Sequence, residues 1–264
     1  MAGTALIFDR NVDKWILYTK SVKGRLLHEL ARDHLKRQLS LAGAPMRVLD
    51  AGCGPADMAY PLFPIARELV LLDFSPKMIE GAKKRLAVRY TPVEMERITF
   101  VNAAVEQLDC CLPQGSFDLI VCHNTLEYTK DPGAALGALA KRLAAGGLLS
   151  LVVANRFSEA FRLAFAKCDL DGARLALHTG TATAELFDHA PKRTFSFDQL
   201  DQMVGKLGLS VLARHGIRIF TDYLPVELIE DERNFPLLLA LEKEAASRIP
   251  YIAVARYLQL VCRK

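Results

Sequence analysis

This sequence of 264 residues has no apolar run longer than a strand, which argues against a membrane-spanning helix. Its first ten residues, MAGTALIFDR, lack the basic start and the long apolar segment of a secretory signal. Internal repeats and low-complexity segments are also missing, and about half of the residues are apolar. We therefore expect a cytoplasmic globular protein with a sizeable core.

Cysteine occurs at six positions but never as a Cys-x-x-Cys pair. In a chain of this length, such spacing argues against a zinc site and against a disulfide framework. We expect reduced cysteines that pack in the core or line a site, and no metal centre.

Positive charge is unevenly distributed along the chain, whose net charge is +4. Residues 1–47 hold nine basic residues against four acidic ones, which places +5 there and −1 in the remainder. A basic segment of this kind can favour an anionic partner such as nucleic acid. A solvated helix face would give the same pattern.

Strand-like apolar runs alternate with helical periodicity through the first 155 residues. The strand-like runs are MRVLDAG, ELVLLDFS, ITFVNAAVEQL, FDLIVCHNTLEY and LLSLVVAN. Helical patterns occupy 22–41, the segment that begins at Ser75-Pro76, and DPGAALGALAKRLAAGG, which its glycines close. This alternation predicts an α/β fold with a doubly wound, mostly parallel sheet. A ligand site should then lie outside the carboxyl ends of the strands.

The pattern is less regular after residue 155. Residues 156–195 predict an inserted helical lid, and Ser196 is a suitable cap for the helix that follows. SVLARHGIRIF predicts a sixth strand, residues 226–249 contain a helix, and YIAVARYLQLVCRK predicts the last strand. We expect a basic helical segment, 1–44, that closes over the ligand, and a main domain, 45–264, with its lid at about 156–195.

The turn after the first predicted strand, VLDAGCG, indicates the kind of ligand. It has no Walker P-loop pattern, and Asp57 stands where a dinucleotide fingerprint has its third glycine, so phosphate binding is disfavoured. Gly52 and Gly54 let the backbone come close to a bulky ligand. Asp50 suits a ligand with an amino or sulfonium cation.

Asp73 ends the second predicted strand, where a carboxylate can accept hydrogen bonds from both ribose hydroxyls. S-adenosylmethionine has a ribose, an amino group and a sulfonium, and it has no phosphate. It is therefore the ligand that these residues favour.

Four segments together resemble the class I S-adenosylmethionine-dependent methyltransferases: VLDAGCG, LVLLDFSPKMIEGAKKR, FDLIVCHNTLEY and LAAGGLLSLVVAN. The resemblance implies a Rossmann-like methyltransferase fold with seven strands and S-adenosyl-L-methionine as cofactor. Three further segments are similar to the bacterial tRNA 5-carboxymethoxyuridine methyltransferase family: FDLIVCHNTLEYTKDP, GIRIFTDYL and PYIAVARYLQLVCRK. In that family the carboxylate of a modified wobble uridine becomes a methyl ester, which implies the tRNA anticodon loop as partner.

The motif and the resemblance together give a set of candidate cofactor-binding residues. They are Arg25, Asp50, Gly52, Cys53, Gly54, Asp73, Phe74, Met78, Val105, Glu106 and His123. Arg25 belongs to this set as a substitute, because Leu27 stands where the family has an arginine that contacts the cofactor. The family also has lysines in its lid, of which Lys192 and Arg193 in PKRTF are the only counterparts here.

The acceptor is a carboxylate or a hydroxyl on this evidence. HNTLEY follows the fourth strand in place of the Asn/Asp-Pro-Pro-Tyr/Phe signature of amino-group methylation. A carboxylate is already ionised at pH 7, so it needs no catalytic base, but it needs cations that orient it. Arg218 and Arg256, each predicted within an apolar strand, and Tyr223 are the candidate substrate-binding residues.

Several alternatives remain open. The arginines could instead form ion pairs with Asp222 or Glu227, and His123 would be the natural base for a hydroxyl acceptor. Trp15 could stack a flipped base or pack in the core. The alternative to tRNA is a small-molecule O-methyltransferase that acts on a metabolite carboxylate or hydroxyl. A non-catalytic module that binds S-adenosylmethionine is a third possibility.

Overall fold

The computed structural model describes residues 2–39 and 45–264. The predicted helix end at residue 41 and the predicted boundary at residue 44 lie outside the described residues. None of the described helices is both long enough and apolar enough to cross a membrane.

A seven-stranded sheet forms the centre of the molecule, with the order β3-β2-β1-β4-β5-β9-β8. Its strands are β1 Met46–Ala51, β2 Ala66–Asp73, β3 Ile98–Asn102, β4 Phe117–His123, β5 Leu143–Ala154, β8 Ser210–Ile217 and β9 Tyr257–Arg263. Only β9 runs antiparallel to its two neighbours. The predicted mostly parallel sheet is therefore confirmed.

Helices cover both faces of this sheet. They are α1 Ala2–Arg10, α2 Val12–Lys20, α3 Val22–Gln38, α4 Ala59–Leu62, α5 Pro76–Arg89, α6 Pro92–Met95, α7 Leu108–Cys111, α8 Pro132–Arg142, α11 Phe197–Gly205, α12 Val226–Glu230, α13 Phe235–Ala245 and α14 Tyr251–Val254. The predicted caps are present, because the Ser75 hydroxyl accepts from the backbone N–H of Met78 and the Ser196 hydroxyl accepts from that of Gln199. The short helix α4 is followed at once by a 3-10 turn, Phe63–Ile65.

The apolar strands alternate between two cores. On β1, Leu49 belongs to one core and Val48 to the other, and Val70 and Leu71 divide in the same way on β2. Because both faces of these strands are buried, their sequences are continuous apolar runs in which apolar and polar residues do not alternate. Each fully buried aliphatic side chain of this kind contributes about 1.5–3 kcal/mol through the hydrophobic effect.

The insertion between β5 and α11 is not purely helical, contrary to the prediction. It contains α9 Ser158–Phe161, a π-helical turn Arg162–Ala166 and α10 Leu170–Ala176, and then an antiparallel hairpin of β6 Thr181–Ala184 and β7 Ala190–Arg193. Exposed and buried residues alternate along β6, as in a strand with one buried face, and Ala182 and Ala184 are the buried ones. Alanine, however, has a low strand propensity. The signal for this hairpin is therefore weak.

Two predicted boundaries near the end of the fold are wrong. The glycines after α8 do not close that helix. Gly146 and Gly147 lie in a bulge of β5, because Phe117 of β4 pairs with Leu143 whereas Leu119, two residues later, pairs with Leu148. The last predicted strand is divided, because residues 251–254 form α14 and β9 begins only at Tyr257.

Candidate active site

A cavity of about 670 Å³ opens at the carboxyl ends of β1, β2 and β4. The glycine turn and Asp73 form its floor at one end, and residues of the insertion and of the segment after β8 form the other end. The N-terminal helices cover it from above. This is the place that the doubly wound topology predicts for a ligand.

The glycine turn needs glycine for two reasons. Gly52 has φ +82° and Gly54 has φ +52°, which is the left-handed region. A Cβ atom on Gly52 would also overlap the Thr125 side chain, which approaches from the turn after β4. The turn therefore has no room for a side chain at Gly52, and both glycines line the cavity.

Asp73 is held by the same turn. Its Oδ2 accepts from the backbone N–H of Gly54 at 2.9 Å, and its Oδ1 accepts from that of Ser75 at 2.9 Å. Burial raises the pKa of this carboxyl to about 6, while the two backbone donors act in the opposite direction. Because a carboxylate oxygen accepts two hydrogen bonds, each oxygen keeps acceptor capacity toward the cavity.

Asp50 is a carboxylate without a partner for one of its oxygens. It is 2% exposed, it lines the cavity, and its Oδ2 has no hydrogen-bond donor among the described residues. Burial, with Asp73 and Asp57 nearby, raises its pKa to about 8. A ligand cation beside Asp50 would satisfy this oxygen, so the amino or sulfonium group of S-adenosylmethionine fits the site.

The N-terminal helices and the insertion meet above the glycine turn. Trp15 donates from Nε1 to Asp57 Oδ2 at 3.0 Å, and its ring stacks on Phe187 with centroids 5.7 Å apart. Phe187 also stacks on Phe8 at 4.1 Å, and Asn11 Nδ2 donates to Asp188 Oδ2 at 2.9 Å. Trp15 is thus part of the cover, with its indole N–H already bonded.

His123 lies at the end of β4, and a chain of hydrogen bonds fixes its tautomer. Gln259 Nε2 donates both to the carbonyl of Ala31 and to Ser150 Oγ, and Ser150 Oγ lies 2.9 Å from His123 Nε2. We assign the Ser150 hydroxyl proton to His123 Nε2, since no other side chain of the described residues accepts it. His123 is therefore neutral with its proton on Nδ1. Burial lowers its pKa to about 3. It has a donor for the cavity and no basic nitrogen to accept a proton.

Arginines crowd the opposite end of the cavity, and each has a carboxylate partner. Arg218 pairs with Asp222 and also bonds the Tyr18 hydroxyl. Arg256 Nη1 lies 2.8 Å from Glu159 Oε2, and Arg162 Nη2 lies 2.6 Å from Glu159 Oε1.

Tyr257 stands among three of the cations. The cation centres of Arg218, Arg256 and Lys192 lie 5.5, 5.9 and 5.9 Å from the centroid of its ring. Burial raises the pKa of Tyr257, but Lys192 and the two arginines outweigh burial and bring it below its ordinary value. This end of the cavity therefore favours negative charge.

The structure brings most of the predicted site residues to the cavity. Those that line it are Asp50, Gly52, Cys53, Gly54, Asp73, Phe74, Met78, His123, Arg218, Tyr223 and Arg256. The expected strand positions of the arginines are wrong, since Arg218 follows β8 with φ +59° and Arg256 precedes β9. The ion pair of Arg218 with Asp222, which the sequence left open, is present.

Three predicted cofactor residues do not line the cavity. Arg25 lies on another side of α3, where it pairs with Glu232 at 2.6 Å. Val105 packs in the core, and Glu106 accepts from the backbone N–H of Lys130. Conversely, the sequence analysis named Lys192 only as a counterpart of the family's lid lysines and did not name Tyr257 or Arg162, and all three line the cavity.

Comparison with known proteins defines the class. Residues 24–214 match the family model described as a methyltransferase domain, and the chain belongs to that family. The sheet and the glycine turn agree with this, and the protein is an S-adenosylmethionine-dependent methyltransferase with a Rossmann-like fold.

Particular relatives differ in how much of the chain they match. A tRNA 5-carboxymethoxyuridine methyltransferase from Escherichia coli (strain K12) is 28% identical over 258 residues, which covers 92% of this chain and 90% of the relative. A ubiquinone biosynthesis O-methyltransferase from Xanthomonas oryzae pv. oryzae is 32% identical over 138 residues, covering 52% and 54%.

Solved structures resemble the whole fold at low identity. A possible histamine N-methyltransferase from Thermotoga maritima has a TM-score of 0.63 at 19% identity and covers 98% of both chains. The magnesium protoporphyrin IX methyltransferase from Synechocystis with bound S-adenosylhomocysteine has a TM-score of 0.56 at 18% identity, covering 91% of this chain and 84% of that one. These likenesses show the fold.

Proposed function

We propose that this protein transfers a methyl group from S-adenosylmethionine to the carboxylate of 5-carboxymethoxyuridine at the tRNA wobble position. The observation that carries this proposal is the buried cluster of Lys192, Arg218 and Arg256 around Tyr257, in the cavity that also contains the glycine turn. The name of the Escherichia coli relative supports the identity of the acceptor, since the similarity extends over 92% of this chain.

The cofactor half of the cavity supplies the groups that S-adenosylmethionine needs. Asp73 would accept from the ribose hydroxyls, and Asp50 would neutralise a ligand cation. Gly52 and Gly54 allow close approach of the backbone, and Phe74 and Met78 give an apolar wall. Cys53 and His123 complete this half.

The reaction requires orientation more than proton transfer. When bound, S-adenosylmethionine would supply an electrophilic methyl carbon to a carboxylate oxygen, with S-adenosylhomocysteine as the leaving group. No proton moves, so the chain needs no general base. The cations at the acceptor end would orient the carboxylate, and the cover of Trp15, Phe8 and Phe187 would exclude water.

A small-molecule O-methyltransferase is the second candidate, which the Xanthomonas relative favours. A hydroxyl acceptor would need a base near the methyl group, and His123 is the residue in position for that role. Its Nε2 already accepts from the Ser150 hydroxyl, and its pKa is lowered to about 3. The geometry therefore supports a carboxylate acceptor better than a hydroxyl.

The test is methylation of bulk tRNA from a host that lacks this enzyme. The protein is incubated with labelled S-adenosylmethionine, and the digested tRNA is analysed by mass spectrometry. We expect the label in the methyl ester of 5-carboxymethoxyuridine. The variant Asp73→Asn replaces the carboxylate that the glycine turn holds with a neutral amide, and it should give little product under the same conditions. Absence of labelled ester, with S-adenosylmethionine bound normally, would reject tRNA as the substrate.

A further inference from the structure

Lys192 differs from the arginines of the cavity because it has no counter-ion of its own. Its side chain is 7% exposed and lines the cavity. Within the described residues, no carboxylate lies at ion-pair distance from its ammonium, whereas Asp222 and Glu159 neutralise the arginines. A buried ammonium without an acceptor is unfavourable, so its position indicates an anionic ligand.

The surroundings of Lys192 do not supply this acceptor. Its ammonium lies 5.9 Å from the centroid of the Tyr257 ring. Burial and then Arg256 lower the pKa of Lys192, and Tyr257, Glu127 and Glu159 act in the opposite direction. Glu127 Oε1 accepts from the backbone N–H of Ala154 at 2.8 Å and its Oε2 has no donor among the described residues, so no hydrogen bond joins this carboxylate to Lys192. Glu159 is occupied by Arg162 and Arg256. The ammonium therefore retains its donors for a molecule that enters the cavity.

We propose that Lys192 binds the carboxylate of the methyl acceptor. Arg218 and Arg256, which are held in ion pairs with Asp222 and Glu159, contribute to the electrostatic potential around it. The proposal rests on the proposed function for the class of acceptor. Lys192 is on β7, opposite Ala182 of β6, so the hairpin of the insertion would present the residue that selects an acid. This also explains why a short basic stretch in the lid, PKRTF, has one residue directed inward.

The first experiment uses a probe without tRNA. Phenoxyacetate has the same oxymethylene carboxylate as the proposed base, and methyl phenoxyacetate is its neutral counterpart. Both are titrated into the protein saturated with S-adenosylhomocysteine, with the fluorescence of Trp15, the single tryptophan, as readout. We expect the native protein to bind the acid at least about tenfold more tightly than the ester. Equal affinity for the two probes would overturn the proposal.

Variants then assign the preference to Lys192. Lys192→Gln should remove the preference for the acid, and Lys192→Arg should keep most of it. Lys206→Gln is the matched control, because it removes the same charge from an exposed residue outside the cavity and should change neither affinity. Lys192→Gln should melt no lower than the native protein, since it removes an unpaired buried charge. An unchanged preference in Lys192→Gln, or a melting temperature well below that of the native protein, would overturn the assignment.

Methylation of tRNA separates this proposal from the proposed function. We expect Lys192→Gln to raise the KM for tRNA by about 10- to 100-fold and to leave the KM for S-adenosylmethionine within twofold. Unmethylated tRNA together with a Lys192-dependent preference for phenoxyacetate would reject the wobble uridine and retain the carboxylate site. Methylated tRNA with an unchanged KM in Lys192→Gln would reject Lys192 and retain the proposed function.

Discussion

Asp50 and Asp73 are buried carboxyls of the cavity with raised pKa values, and the value for Asp50 is the higher of the two. We expect Asp50 to pair with a cation of the cofactor. Its pKa is raised to about 8, so the carboxylate form that pairs with a cation increases with pH up to that value. We expect the affinity for S-adenosylmethionine to rise roughly tenfold between pH 6 and pH 7. Titrations followed by Trp15 fluorescence measure this directly. Asp50→Asn should weaken binding at pH 8 and remove the pH dependence, and an unchanged pH dependence in that variant would contradict the assignment.

The same residue should lower the stability of the ligand-free protein. The folded-state pKa of Asp50 lies above the unfolded value near 3.9, so its protonated form stabilises the fold below pH 4 and this contribution is lost as pH rises to about 8. Asp50→Asn should therefore melt above the native protein at pH 8 without ligand. Gain of stability and loss of binding in one variant would identify Asp50 as a functional residue.

His123 should be a hydrogen-bond donor throughout the working pH range. Its pKa is lowered to about 3, and Ser150 holds its Nε2. In ¹⁵N-labelled protein, the imidazole shifts of His123 should show the Nδ1–H tautomer from pH 5 to pH 8, with the resonance assigned through His123→Gln. Ser150→Ala should release Nε2 and give a mixture of tautomers. A histidine that titrates near pH 6.5 in the native protein would contradict this prediction.

Among the secondary-structure elements, α3 and β8 meet at a stacked pair of histidines. The rings of His34 and His215 lie 4.0 Å apart, and both nitrogens of His215 lack partners within the described residues. Burial lowers their pKa values to about 3 and about 4. Because both values lie below the unfolded value of 6.5, neutral histidines stabilise the fold above pH 6.5, and this stability is lost as pH falls.

The variant His215→Phe keeps the stack and removes one of the two protonation sites. Between pH 6 and pH 4, we expect the free energy of unfolding to fall less steeply with decreasing pH in the variant than in the native protein. The two slopes should differ by up to about 1.4 kcal/mol per pH unit. Urea unfolding at several pH values measures the slope. Parallel slopes for the two proteins would show that His215 contributes nothing to acid sensitivity.

Sequence reasoning succeeded for elements whose signals are local. Asp50, Gly52 and Asp73 stand at the ends of strongly apolar strands, so their convergence follows from the parallel sheet alone. The hairpin that carries Lys192 is short and rich in alanine, and its position depends on tertiary contacts. Arg25 was predicted from its position along α3, but it occupies a side of that helix that faces Glu232 and not the cavity.

At the scale of the whole molecule, the basic N-terminal segment is less available than its composition suggests. Six of the nine basic residues within 1–47 form ion pairs with other described residues: Lys14, Lys23, Arg25, Arg32, Arg37 and Arg47. These pairs reduce the charge that the segment can offer to phosphates. Contacts with tRNA would therefore be few, and the salt dependence moderate for a nucleic-acid-binding protein.

The salt dependence of methylation tests this expectation. For about three phosphate contacts on a single-stranded loop, the KM for tRNA should rise roughly 20-fold between 50 and 200 mM salt. The KM for the free nucleoside 5-carboxymethoxyuridine should change less than about twofold over the same range. Equal salt dependence for the two substrates would exclude phosphate contacts as the source of tRNA affinity.

The position of β9 has a consequence for the order in which this protein can be made. β9 lies between β5 and β8, and β8 has no other partner in the sheet. On a translating ribosome, β8 emerges about 40 residues before the strand that must hold it. The cofactor half, built around β1, β2 and β4, can therefore take shape first. Arg218 and Arg256 come together only when β9 enters the sheet, so the nascent enzyme should form its cofactor site before the proposed acceptor site.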